Sequence, residues 1–266
     1  MESRLVILGA RGSVPVFGTD YRRYGGNTTC FLAEMAGQPV VLDAGTGLLR
    51  LPADVLYAPE LPLLLTHPHT DHLLGLPMSA YLTRPEACLT VYGAERDGKG
   101  VRAQINCLMR PPLWPVTIDK LPARVLFRTV SERFTIGPVT VRTAEGIHPG
   151  GVTLYRLEAD GKSVVLITDC TLKEEFLPRA LEFARGADLL LVDGQYSNTE
   201  WASRSVFGHN TWKTAAEFGR ASCAKIVRIV HHDPTHSDDV LDAAARTLAS
   251  IHPDCAFARE GETIAL

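Results

Sequence analysis

Residues 61–75 read LPLLLTHPHTDHLLG: a run of leucines too apolar to face water stops at a stretch that packs three histidines and an aspartate into six residues, then returns to leucine. A buried strand that leads straight into so many polar donors constrains the fold, because those side chains must converge on something that satisfies them together. His67, His69, Asp71 and His72 can meet in one tight turn, with Pro68 restricting the backbone. Neutral imidazole suits zinc and related transition metals, and a carboxylate adds the charge that a dication requires. One ion cannot readily use all four groups, so the spacing points to two ions a few ångströms apart. The remaining ligands are then expected at other strand ends, which supply rigid positions aimed at a common cleft. His148, followed by Pro149, Gly150 and Gly151, Asp169 at the end of SVVLITD, and His231 at the end of KIVRIV meet that requirement.

Short β-branched or leucine-rich runs bounded by Gly, Pro or Asp recur along the chain. The pattern predicts strands at 4–9, 29–35, 39–45, 61–67, 89–94, 125–130, 134–146, 152–159, 163–169, 188–194 and 225–232. Helices are expected over 99–109, 178–185, 211–223 and 238–251, the last capped by Ser237. The first half reads as strands joined by hairpins and the second alternates strand with helix, which predicts one α/β domain over 1–266 with two mixed sheets between helices. MRPPLWPV at 109–116 interrupts a helix and reads as a cover on a core edge or a wall of the pocket.

Composition excludes several classes. With 45% apolar residues the chain can bury a full core, and a formal charge of −3 leaves no global basic footprint, so no long nucleic acid is expected as a partner. The six cysteines form no C-x-x-C pair, which argues against a zinc ribbon. No stretch is long and apolar enough to span a membrane and no secretory leader is evident, so a cytoplasmic protein is expected.

LGARGSVPVFG, YGGNTTC, VLDAGTG, THPHTDHLLG, HPGG, ITD, GHNT and IVHHDPTHSD together resemble the metallo-β-lactamase-fold hydrolases, and most closely their ribonuclease Z and phosphodiesterase branch, across essentially the whole chain. The resemblance implies an αββα four-layer sandwich and two divalent ions, usually Zn2+, with Mn2+ or Fe in some members. By it, His67, His69 and His148 bind one ion, Asp71, His72 and His231 the other, and Asp169 bridges them. Asp71 also orients the attacking water, His209 in GHNT is the candidate acid for the leaving group, and Asp193 orients His209. Asp43 in LDAG resembles the family's structural aspartate.

Two dications partly neutralised by two aspartates leave a positive centre suited to a phosphodiester anion. A metal-dependent phosphodiesterase acting on a small substrate, such as a cyclic nucleotide or cyclic phosphate, is therefore expected. The same centre could instead hydrolyse a thioester, lactone or lactam, or serve a non-enzymatic metal-bearing sensor. Only twenty residues separate His148 from Asp169, where the family's tRNA-processing members carry a long arm, and His69 stands where the diiron redox branch has glutamate. A homodimer is compatible with the resemblance.

Overall fold

Leucine and valine runs without polar alternation require strands buried on both faces, and the computed structural model, which describes residues 2–266, shows such strands. In chain order they are β1 (Arg4–Gly9), β2 (Cys30–Met35), β3 (Gln38–Leu42), β4 (Glu60–Leu64), β5 (Cys88–Gly93), β6 (Arg124–Thr129), β7 (Arg133–Ile136), β8 (Val139–Gly146), β9 (Val152–Ala159), β10 (Lys162–Ile167), β11 (Leu189–Asp193), β12 (Ile226–Val230), β13 (Cys255–Phe257) and β14 (Thr263–Ala265). One sheet runs β14-β1-β2-β3-β4-β5-β6 and the other β13-β12-β11-β10-β9-β8-β7. The helices are α1 (Ala53–Leu56), α2 (Val101–Leu108), α3 (Leu177–Ala184), α4 (Asn198–Arg204), α5 (Trp212–Ala221) and α6 (Asp238–Ile251).

Alternation along β11 shows the layering. Leu189 and Leu191 enter the core between the sheets, where they meet Phe31, Val40 and Tyr155. Leu190 and Val192 point the other way, into the layer formed with Ala180 of α3, Phe218 of α5 and Leu248 of α6. On the far side of the first sheet, Leu61 and Leu63 pack with Val55 of α1 and Ile105 of α2. The result is the expected four-layer αββα sandwich of two mixed sheets. Truncating a side chain such as Leu191 to alanine should cost about 2–5 kcal/mol, since each layer is closed on both sides.

The expected strand at 134–146 is two strands. Gly137 takes a left-handed φ of 53° and Pro138 has no N–H to give a ladder, so the run turns there. Helix α4 and the three-residue strands β13 and β14 were not expected. Met109 and Trp114 of the proline-rich segment pack on the outer core of the first sheet, so this segment does cover a core edge. Among the described residues, no helix is long and apolar enough to cross a membrane.

Strand direction positions the site. β3, β4, β5 and β6 are mutually parallel, as are β10, β11, β12 and β13. Parallel neighbours end on the same edge of their sheet, where crevices collect residues from several strands. Asp43, Asp169 and His231 each follow such an end, and each has a left-handed φ, of 60°, 51° and 64°. A non-glycine residue held there costs about 1–3 kcal/mol and persists only where its surroundings impose it. The same reversal at three strand ends carries each polar side chain out of strand register and into the crevice.

Candidate metal centre

The turn after β4 presents His67, His69, Asp71 and His72 together, and later strand ends bring the others to it. Donor atoms of His67, His69, His148 and Asp169 all lie within 4.8 Å of one another, and so do those of Asp71, His72, Asp169 and His231. Asp169 belongs to both groups. Its Oδ1 is 3.3 Å from His72 Nε2, and its Oδ2 is 3.0 Å from His231 Nε2 and 3.8 Å from His67 Nε2 and His148 Nε2. All seven side chains singled out in the sequence are thus brought to one crevice, in the two sets of donors that the resemblance implies.

Neighbouring groups fix which face of each ring looks inward. Asp43 Oδ2 lies 2.8 Å from His72 Nδ1 and accepts its proton. The Thr66 hydroxyl donates to Asp43 and, having spent its one proton, accepts from His67 Nδ1 at 3.0 Å. Nε2 of His67 and of His72 then faces the crevice, buried and without a hydrogen-bond partner. Two buried imidazole nitrogens left unsatisfied among carboxylates are what a pair of ion sites requires, so these residues fit the metals that the fold family implies. His148 Nδ1 is held by the Gly208 carbonyl at 3.2 Å, leaving Nε2 towards His69 Nδ1.

Charge in the crevice is arranged for cations. Burial alone would lower the His231 pKa, but Asp169 and Asp71 outweigh it and raise it to about 10. His72 is likewise buried, yet Asp71, Asp169 and Asp43 carry it well above the usual value. Burial would push Asp71 up, but His72 and His231 hold it below the ordinary carboxylate range. In the other set, burial lowers His148 to about 4, so that imidazole is neutral at physiological pH.

Beside these sets, His209 Nδ1 lies 2.7 Å from Asp193 Oδ2. Asp193 is fully buried and further fixed by the backbone N–H of Asn210 at 2.9 Å and of Asp169 at 3.1 Å. The His209 ring stacks on that of His231, centroids 4.7 Å apart, and meets His148 edge-on at 5.3 Å. His232 and His236 turn away, to the Ala258 carbonyl and to Glu200.

Sequence reasoning missed several supports. The backbone N–H of Ser13 donates to Asp71 at 2.8 Å, and Gln195 reaches the Ser13 hydroxyl at 3.2 Å. Thr66 and Thr168, next to His67 and Asp169, were legible only as hydroxyls beside candidate ligands; Thr168 donates to Asp169 at 2.7 Å. Asn210 ties the His209 loop to the Asp169 loop through Leu172 N–H and the Cys170 carbonyl.

The sandwich and the crevice at its strand ends define a metallo-β-lactamase-fold hydrolase. The chain belongs to the beta-lactamase superfamily, whose domain model matches residues 39–232. Among curated relatives, the ribonuclease Z of Pyrococcus abyssi is 22% identical over 79% of this chain and 82% of its own. Among solved structures, a diphosphatase from the PhnP family superposes with a TM-score of 0.73 at 18% identity, covering 99% of this chain and 98% of that one. The short form of human tRNase Z gives 0.71 at 16% identity, covering 98% of each.

These relatives correct one expectation. The reading that no long nucleic acid is a partner is overturned by a relative named ribonuclease Z that matches most of the chain. Net charge misled because it averages over acids buried in the crevice and cations on the surface. The short connection between His148 and Asp169, a β9–β10 hairpin turning at Asp160 and Gly161, bears on one position in the fold and leaves other surfaces open.

Proposed function

We propose that this protein is a dinuclear metal-dependent phosphodiesterase, with His67, His69 and His148 holding one ion, Asp71, His72 and His231 the other, and Asp169 shared. The observation that carries the reading is the pair of donor sets meeting at Asp169 beside a buried His209–Asp193 pair. When bound, divalent ions of this kind polarise a phosphoryl oxygen and lower the pKa of water from about 15.7 towards ~7. Zinc suits the five imidazoles and two carboxylates best, with manganese or iron as substitutes.

The chain's own residues supply the rest. Asp71, locked by the Ser13 N–H, orients the attacking water through its carboxylate. Asp193 accepts from His209 Nδ1 and so leaves Nε2 as the position from which a proton reaches the departing oxygen. The cation-seeking crevice suits a substrate that arrives with one negative charge and gains another as phosphorus is attacked. A small phosphodiester such as a cyclic nucleotide or cyclic phosphate fits, because these groups address only the scissile phosphate, and the ribonuclease Z relatives support including an RNA strand. The six unpaired cysteines support a cytoplasmic setting.

The test is turnover of bis(p-nitrophenyl) phosphate by zinc-loaded protein beside a thioester and nitrocefin. Chelator-sensitive cleavage of the phosphodiester is expected. Activity confined to the thioester or the lactam would replace the reading.

A further inference from the structure

Ser13 holds a conformation that a serine keeps only where its surroundings impose it. Its φ is 64°, in the left-handed region that glycine reaches without cost. Contacts on three sides fix it over the second set of metal donors. Its backbone N–H donates to Asp71 Oδ2 at 2.8 Å. The preceding Gly12 lies so close to the His231 ring that a Cβ there would stand 2.2 Å from Nδ1, and its N–H donates to the His232 carbonyl at 3.0 Å. From the other side, Gln195 Nε2 donates to the Ser13 hydroxyl at 3.2 Å. Asp71 belongs to the turn after β4 in one sheet, and Gln195 follows the end of β11 in the other. Ser13 therefore spans the mouth of the crevice between the two sheets.

The hydroxyl is arranged to give a proton. Gln195 is 2% exposed, and among the described residues its amide makes no other side-chain hydrogen bond. With its oxygen accepting from that amide, the Ser13 hydroxyl keeps its own proton, for which no acceptor lies within the described residues. Ser13 is exposed, so the proton is open to a molecule that enters the crevice. The other hydroxyls beside the ligands differ: Thr66 spends its proton on Asp43, and Thr168 spends its own on Asp169.

We propose that Ser13 is a catalytic residue whose hydroxyl donates a hydrogen bond to a non-bridging oxygen of the scissile phosphate. Its two neighbours set that position. Asp71 is the group that orients the attacking water, and Gln195 stands two residues beyond Asp193, which holds the acid His209. The hydroxyl is thus placed between the side from which phosphorus is attacked and the side from which the leaving oxygen departs. The equatorial oxygens gather negative charge between those two sides, and a donor fixed there in advance strengthens its bond as the charge grows. No proton is transferred by Ser13, so the hydroxyl is unchanged at the end of the reaction. This role rests on the phosphodiesterase reading.

Two variants test it. Ser13→Ala removes the hydroxyl and keeps the backbone N–H that Asp71 accepts, whereas Ser13→Gly removes it and also relieves the left-handed backbone. Zinc-loaded wild type and both variants are compared on methyl p-nitrophenyl phosphate, on each enantiomer of the corresponding phosphorothioate, and in calorimetric binding of inorganic phosphate. Both variants should keep the wild-type metal content and bind phosphate about 10-fold more weakly, the scale of one hydrogen bond to a charged group. Turnover of the oxygen ester should fall about 100-fold, as for a lost donor to a developing oxyanion. Sulfur accepts hydrogen bonds poorly, so the loss should nearly vanish on the enantiomer whose sulfur faces residue 13 and persist on the other. Full rate with unchanged phosphate affinity in either variant would overturn the assignment. So would recovery in Ser13→Gly of what Ser13→Ala loses, or equal losses on the two enantiomers, since either marks a role in shaping the loop alone. Each of these results, with wild-type turnover intact, leaves the phosphodiesterase standing; absent wild-type turnover of the ester would instead remove that reading and Ser13's role with it.

Discussion

Asp193 accepts from His209 Nδ1 at 2.7 Å, and the backbone N–H of Asp169 donates to the same carboxylate oxygen. One buried aspartate thus links the candidate proton donor to the residue shared by both sets of metal donors. His209→Ala should keep both ions and lower kcat by about 100-fold or more on a substrate with a poor leaving group, with a smaller loss on p-nitrophenolate, which needs no proton. Comparing the two substrates checks this. Equal losses on both would remove His209 as the acid.

Two glycines back the two sets of ligands. A Cβ at Gly12 would lie 2.2 Å from His231 Nδ1, and one at Gly208, which has φ 94°, would lie 2.3 Å from His148 Nδ1. Gly12→Ala should therefore displace His231 and Gly208→Ala should displace His148. Metal analysis should find the content of each variant reduced by about one ion per chain. A full complement in both would show that the rings give way without losing their ligand positions.

Removing the group that aims His72 should weaken the ions without touching them. Asp43→Asn keeps an acceptor for the Thr66 N–H but loses the carboxylate that takes the proton from His72 Nδ1. Metal affinity should fall about 10–100-fold, the usual scale for a lost partner of a metal-bound histidine. Competition against a chromophoric chelator measures it.

Protons and ions compete for the same nitrogens. His231, raised to about 10 by Asp169 and Asp71 against the effect of burial, and His72, raised by its three aspartates, carry protons at neutral pH before metal enters. Since imidazolium cannot ligate, uptake must release those protons, and apparent affinity must rise with pH through the neutral range, close to tenfold per unit for each proton displaced. Calorimetry of zinc uptake in buffers of different ionisation enthalpy should show proton release at pH 7. Heats independent of buffer would contradict it.

Most of the sandwich was legible because its strands are buried on both faces and therefore read as unbroken apolar runs, as in LLLVD at 189–193. β13 and β14 escaped because three residues are too few to show a period. Helix α4 lacks any buried residue, so it has no apolar stripe, although its capping box of Ser197 and Glu200 was there to be read. In the crevice, the ligand types could be read from His and Asp at strand ends. The backbone N–H of Ser13, the left-handed turns at Asp43, Asp169 and His231, and the glycines behind the rings could not, because each depends on how distant segments meet.

The most direct test of the central claim is metal content measured against activity. Protein purified active, or reconstituted with zinc, should hold about two ions per chain, and Asp169→Ala should lower occupancy at both sites and abolish phosphodiester turnover, since its carboxylate belongs to both donor sets. Full turnover by protein stripped of metal, or an Asp169→Ala variant that keeps both ions and full rate, would contradict it.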